Sequence, residues 1–186
     1  MHLVLRCFYM GGVNMFLKFG DQYSDGELGR LCELLELLDL KLSDVHNKIS
    51  DSTDPDSEGL LDKGEYFIGV GFVAMQQYMI ETLLFTGIDK GKAYSLGPVH
   101  SSNMPYASLI NAAANWWKHE AEWWNAGEIA ENNRTYPKIS LVADSNEYQL
   151  SNVLASICSS SGFSLMGVVP FLIEWRKSVD EARSPR

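Results

Sequence analysis

Residues 116–124 read Trp-Trp-Lys-His-Glu-Ala-Glu-Trp-Trp, so four of the chain's five tryptophans surround a Lys118-His119-Glu120 cluster. If this window is helical, Asn111, Asn115, His119 and Glu122 follow one another at steps of four, four and three. Their side chains then rise along one stripe, with Lys118 beside it. Such a stripe has catalytic parts: His119 as general acid or base, Lys118 as a phosphate ligand or a counter-charge, and Asn115 as an orienting group. Asn111 and Glu122 would extend it toward a substrate. A plainer reading competes, in which Glu122 pairs with Lys118 across one turn on a solvated face and His119 fills a half-buried slot. The tryptophans divide the same way, between core or interface packing and a stacking platform for bases. Two adjacent Trp pairs cannot all point inward, so at least one tryptophan should be exposed or buried against a partner, and a flat patch of Trp117 and Trp124 would favour partner binding.

Other chemistries are poorly served. Di-iron bundles place Glu-x-x-His on two helices, whereas this chain has the reversed order His119-Glu120-Ala121-Glu122 once. His2, His46 and His100 sit in separate segments, and no phosphate loop or Gly-x-Ser-x-Gly elbow occurs. Neither a metal nor another cofactor is expected.

The elements that must hold the stripe are helical. Ser24 and Glu27 form a capping-box pattern ahead of Leu28, Leu31, Leu35, Leu38, Leu42, Val45 and Ile49, a heptad seam suited either to a bundle or to a dimerising coiled coil. The polar run 50–57 ends that helix and offers Asp56 or Ser57 as the next N-cap. A second helix is predicted from 58 to about 86, with Gly64, Gly69 and Gly71 inside it for close helix approach and Gly87 as its stop. Residues 88–104 read as a loop, and a third helix carries the stripe from Pro105 to Trp124, stopping near Gly127. Residues 128–143 look irregular, with a short edge strand over 138–143 as an option. Asp144 and Glu147 suggest another capping box for a helix through Ile157, and a last helix follows Ser159–Gly162 with Pro170 near its start or kinking it. The fold class is therefore all-α, a bundle of about five helices built on long antiparallel pairs. It is one domain over 24–182, with an arm or short helix at 1–23 and a tail at 183–186.

Composition narrows the function. At 186 residues, 46% hydrophobic and 21% charged, the chain is long enough for a real core and unlike a disordered or fibrous sequence. A net charge of −9 opposes broad nonspecific nucleic-acid binding, so any RNA contact needs a local basic patch or a basic partner. Three scattered cysteines, Cys7, Cys32 and Cys158, suggest neither a disulfide framework nor a zinc knuckle and fit a reducing cytoplasm. The apolar first nineteen residues are interrupted by Arg6, Asn14 and Lys18, and no run is long enough to cross a membrane.

The window Asn115-Trp-Trp-Lys-His119, on a long helix that follows a long helical hairpin, resembles the HEPN group (higher eukaryotes and prokaryotes nucleotide-binding domains) of bacterial toxin–antitoxin and phage-defence ribonucleases. The likeness covers residues 25–180 in architecture and about ten residues in sequence. It implies an RNA-directed protein, a homodimer that brings two third helices together, and, if catalytic, a metal-independent endoribonuclease. The family motif sets an Arg four to six residues before the His. Here those positions are Ala113, Ala114 and Asn115, so Asn115 and His119 match, the arginine is missing, and Lys118 is left to supply positive charge. A second expectation, from the acidic charge and tryptophans, is a non-enzymatic interaction module that binds a protein partner, such as an antitoxin, immunity protein or complex subunit.

Overall fold

A computed structural model of the chain describes residues 17–19, 22–84, 86–125, 133–143, 147–158 and 162–183, with backbone alone at 17–19, 22–24, 124 and 125. The fold is all-α. Among the described residues, seven helices follow a small antiparallel hairpin, β1 (Leu17–Phe19) with β2 (Gln22–Ser24), which lies where an arm or short helix was expected. The helices are α1 (Gly26–Asp51), α2 (Leu60–Leu83), α3 (Lys90–Ala93), α4 (Tyr106–Asn125), α5 (Tyr136–Ser140), α6 (Gln149–Ile157) and α7 (Val169–Ala182), with a 3-10 turn at Leu165–Val168. Five of them have nine residues or more, as the periodicity implied; α3 and α5 are single turns in segments that read as loop and as a possible strand.

The α1 seam is core. Leu31, Leu35, Leu38, Leu42 and Val45 are buried against α2, where Ile68, Phe72, Met75 and Met79 meet them. Late α1 lies by early α2, with Val45 against Gly64, and Asp25 ahead of α1 reaches Tyr78 late in α2, so the two helices run antiparallel. α4 pairs with α2 in the same sense, since Trp117 lies on Gly69 and Asn111 on Gln76. Gly69 is required: a Cβ there would sit 1.8 Å from the Trp117 ring, so only a bare backbone admits the indole.

Several helix starts differ from local expectation. Asp25, rather than Ser24, caps α1, accepting the Leu28 N–H at 3.0 Å, because Ser24 is still in β2. α2 begins after Gly59 in the left-handed conformation, with no side-chain cap from Asp56 or Ser57. Glu65 of α2 accepts the Leu150 and Ser151 N–H groups at 3.0 and 2.7 Å and so caps α6 from another helix. Asp144 lies outside the described residues. Asp39 of α1 does the same for the last helical segment, accepting from Ser164 Oγ, Leu165 N and Met166 N at 2.6, 2.7 and 3.1 Å. Each carboxylate satisfies N–H groups that a helix start leaves open and meets the positive end of its dipole. Pro170 stands in the first turn of α7 and does not kink it.

One buried ion pair closes the end of the bundle. The Arg176 guanidinium donates to Asp25, with the two side chains 4% and 3% exposed, and the Tyr78 hydroxyl donates to the same carboxylate at 2.8 Å. Among the described residues, no helix is long and apolar enough to cross a membrane.

Candidate functional site

Gln76 is the residue the sequence reading did not single out. It lies on α2, 4% exposed, facing α4, and its amide joins two residues of the stripe, Asn111 and Asn115, to Lys118 beside it. Lys118 Nζ donates to Gln76 Oε1 at 2.7 Å, while Gln76 Nε2 donates to Asn111 Oδ1 at 2.8 Å and to Asn115 Oδ1 at 3.0 Å. Steps of four and three put Asn111, Asn115 and Lys118 on one face, and α2 supplies the group that locks them.

The direction of this relay follows from one residue. An ammonium has donors and no acceptor, so the oxygen of Gln76 must face Lys118 and its NH2 must face the asparagines. Both asparagine carbonyls are thereby engaged. Their NH2 groups turn away from Gln76 and have no partner among the described residues, and Lys118 retains two further N–H donors. The outer side of the relay therefore presents donors. Lys90, at the start of α3, adds charge: its ammonium lies 5.3 Å from the centre of the Tyr94 ring. Burial first, and the Lys90 charge second, lower the Lys118 pKa from its ordinary value. Neither lysine has a carboxylate partner among the described residues.

His119 and Glu122 stand apart from the relay. His119 Nδ1 is 3.0 Å from Glu122 Oε2 across one turn, both side chains are open to solvent, and the imidazole lies 5.9 Å from the Trp123 ring centre. Thus Asn111, Asn115 and Lys118 come together, whereas His119 and Glu122 form a separate exposed pair; the Glu122–Lys118 pairing of the plainer reading is not formed either. The tryptophans are mostly packing. Trp116 is buried, Trp123 tilts against it, and Trp117 lies over Gly69 with its ring edge-on to Tyr66 at 5.6 Å. The side chain of Trp124 lies outside the described residues.

A second polar place escaped the sequence reading, because its parts are more than fifty residues apart. Buried His100 borders a cavity of about 470 Å³ with Ser101, Ser102, Asn152 and Ser156. Its Nδ1 receives the Ser102 N–H at 3.2 Å and lies 2.9 Å from the Ser102 hydroxyl; Nε2 lies 3.3 Å from the Ser156 carbonyl and 3.1 Å from Ser156 Oγ. A backbone N–H only donates and a carbonyl only accepts, so the neutral ring with its proton on Nε2 satisfies both ends. Nε2 is then a donor toward Ser156 and cannot draw off its hydroxyl proton, which makes this a strap between two segments rather than an activated nucleophile.

Among the described residues, no group of three or more His, Cys, Asp and Glu could hold a metal ion. A comparison with protein-family models finds no match for the chain, and comparisons with curated proteins and with solved structures find none either.

Proposed function

We propose that this chain is an RNA-directed binding protein whose phosphate seat is the Lys118–Gln76–Asn111/Asn115 relay with Lys90 beside it. The single observation that carries the reading is the donor-only outer side of that relay. Two amide NH2 groups and two ammonium groups suit a phosphodiester oxygen, and they make the local basic patch that a chain of net charge −9 needs to approach nucleic acid. The seat contains no general base, and His119 is held by Glu122, so the proposed role is binding without cleavage at this place. A toxin–antitoxin or phage-defence setting of HEPN type, in the cytoplasm, belongs to the same proposal.

Asparagine side-chain NH2 resonances report directly on the seat. Titration with a single-stranded RNA oligonucleotide is expected to shift those of Asn111 and Asn115, and Lys118→Ala should abolish the shift. With two lysines engaged, log affinity should fall with log salt at a slope of about −1.4. His119→Ala should bind as the wild type does. No shift at Asn111 and Asn115, or full binding by Lys118→Ala, would sink the proposal. A second reading, the non-enzymatic interaction module, is favoured by a different observation: a row of exposed leucines on α1.

A further inference from the structure

The face of α1 turned away from the core carries Leu34, Leu37 and Leu40, which are 38%, 61% and 68% exposed. The core seam of α1 is filled by Leu31, Leu35, Leu38, Leu42 and Val45, so these three leucines lie outside it. They follow one another at steps of three, so the row runs obliquely, turning about 60° around the helix at each step. Its flanks are ordered. Leu34 and Leu40 lie three residues either side of Leu37, while Glu33 and Lys41 lie four residues either side, on opposite sides of the row. Neither Glu33 nor Lys41 has an ion-pair partner among the described residues, whereas Arg30 pairs with Glu27 and Lys48 with Asp44.

We infer that this face binds a second copy of the chain, about a two-fold axis that passes through Leu37 and lies along the leucine row. That operation sets each leucine against its own counterpart and brings Glu33 of each chain to Lys41 of the other, twice. The α1 helices then cross steeply. A two-fold axis across the row would instead oppose Lys41 to Lys41 and Glu33 to Glu33, so the charges select one arrangement and reject the other. Asp44 approaches Glu36 of the second copy but brings its own counter-ion, Lys48, at 3.0 Å. A row of three leucines covers less area than a standard stable interface, so the dimer should be weak and reversible. The face is independent of the proposed phosphate seat: α2 packs against both α1 and α4, and no residue is shared.

Sedimentation velocity on the full chain, from low micromolar to near-millimolar concentration, should show a monomer–dimer equilibrium. Leu37→Glu should leave one chain at every concentration with an unchanged helical spectrum, since the side chain is exposed. Glu33→Lys and Lys41→Glu should each weaken association at least tenfold, and the double exchange Glu33→Lys with Lys41→Glu should restore it, because the pairs re-form with the charges reversed. A chain that stays monomeric throughout overturns the inference. So does a dimer insensitive to Leu37→Glu, or a double exchange that fails to recover association.

Discussion

Replacing Gln76 in two different ways separates its role in stability from its role in directing the asparagines. Gln76→Met keeps the length of the side chain and removes all three hydrogen bonds. The two bonds to asparagine contribute about 1 kcal/mol each. The bond from Lys118 counts for about the same or less, because an exposed ammonium rehydrates readily. The expected loss is therefore about 2–3 kcal/mol, or a fall of roughly 1–1.5 M in the urea midpoint for an m-value near 2 kcal/mol/M, read from tryptophan fluorescence. Gln76→Glu behaves differently. A carboxylate still accepts from Lys118, but it offers no proton to Asn111 or Asn115, so both amides must turn over and donate inward. Stability at neutral pH should then fall by less than about 1 kcal/mol, since every bond is re-formed. The outer side would expose two carbonyl oxygens in place of two NH2 groups and gain a negative charge beneath them, so phosphate and RNA should no longer bind. Gln76→Met within about 0.5 kcal/mol of wild type would refute the energetic reasoning. Undiminished RNA binding by Gln76→Glu would refute the directional one.

Gly69→Ala drives a methyl group into the Trp117 ring and should cost about 1–3 kcal/mol, with a shifted tryptophan emission as α2 and α4 part; an unchanged midpoint would mean the indole is not seated there. Asp25→Ala strips the cap of α1 and takes the buried Asp25 carboxylate away from the Arg176 guanidinium and the Tyr78 hydroxyl, for an expected loss of about 3–5 kcal/mol in thermal or urea unfolding. Burial, with a smaller push from Glu120, holds the Glu65 carboxyl above its ordinary value of 4.5 even though it accepts two backbone N–H bonds. A raised carboxyl contributes stability that is complete below that ordinary value and is lost as pH rises through the folded-state value. Glu65→Gln should therefore flatten the decline in melting temperature above pH 4.5, and a decline of undiminished slope would assign it to another group.

The parts of the fold that were legible are those set by local periodicity. The seven apolar positions from Leu28 to Ile49 announce a long helix with one buried side, and α1 is that helix; the same reading marks α2, α4 and the glycine on which Trp117 rests. The misread parts were those where a distant residue outcompeted a nearby one. Ser24 looked like a cap but belongs to a strand, and the Leu150 and Ser151 N–H groups at the start of α6 are met by Glu65 of α2, to which no local pattern pointed. Nothing in the local sequence around Asp39 points to its role, because Ser164, Leu165 and Met166 reach it only in the folded bundle.

The stripe on α4 divides along the same line. Its residue types and spacing follow from the chain alone, because a helix has one period and Asn111, Asn115, His119 and Glu122, with Lys118 beside them, must run along one side wherever it packs. Which of its neighbours joined that face, and which way its amides point, depends on Gln76, thirty-five residues from Asn111 and silent in any local pattern. A side-chain amide is symmetric in shape and opposite in polarity at its two ends, so only the partner that tertiary packing supplies decides whether the surface accepts or donates.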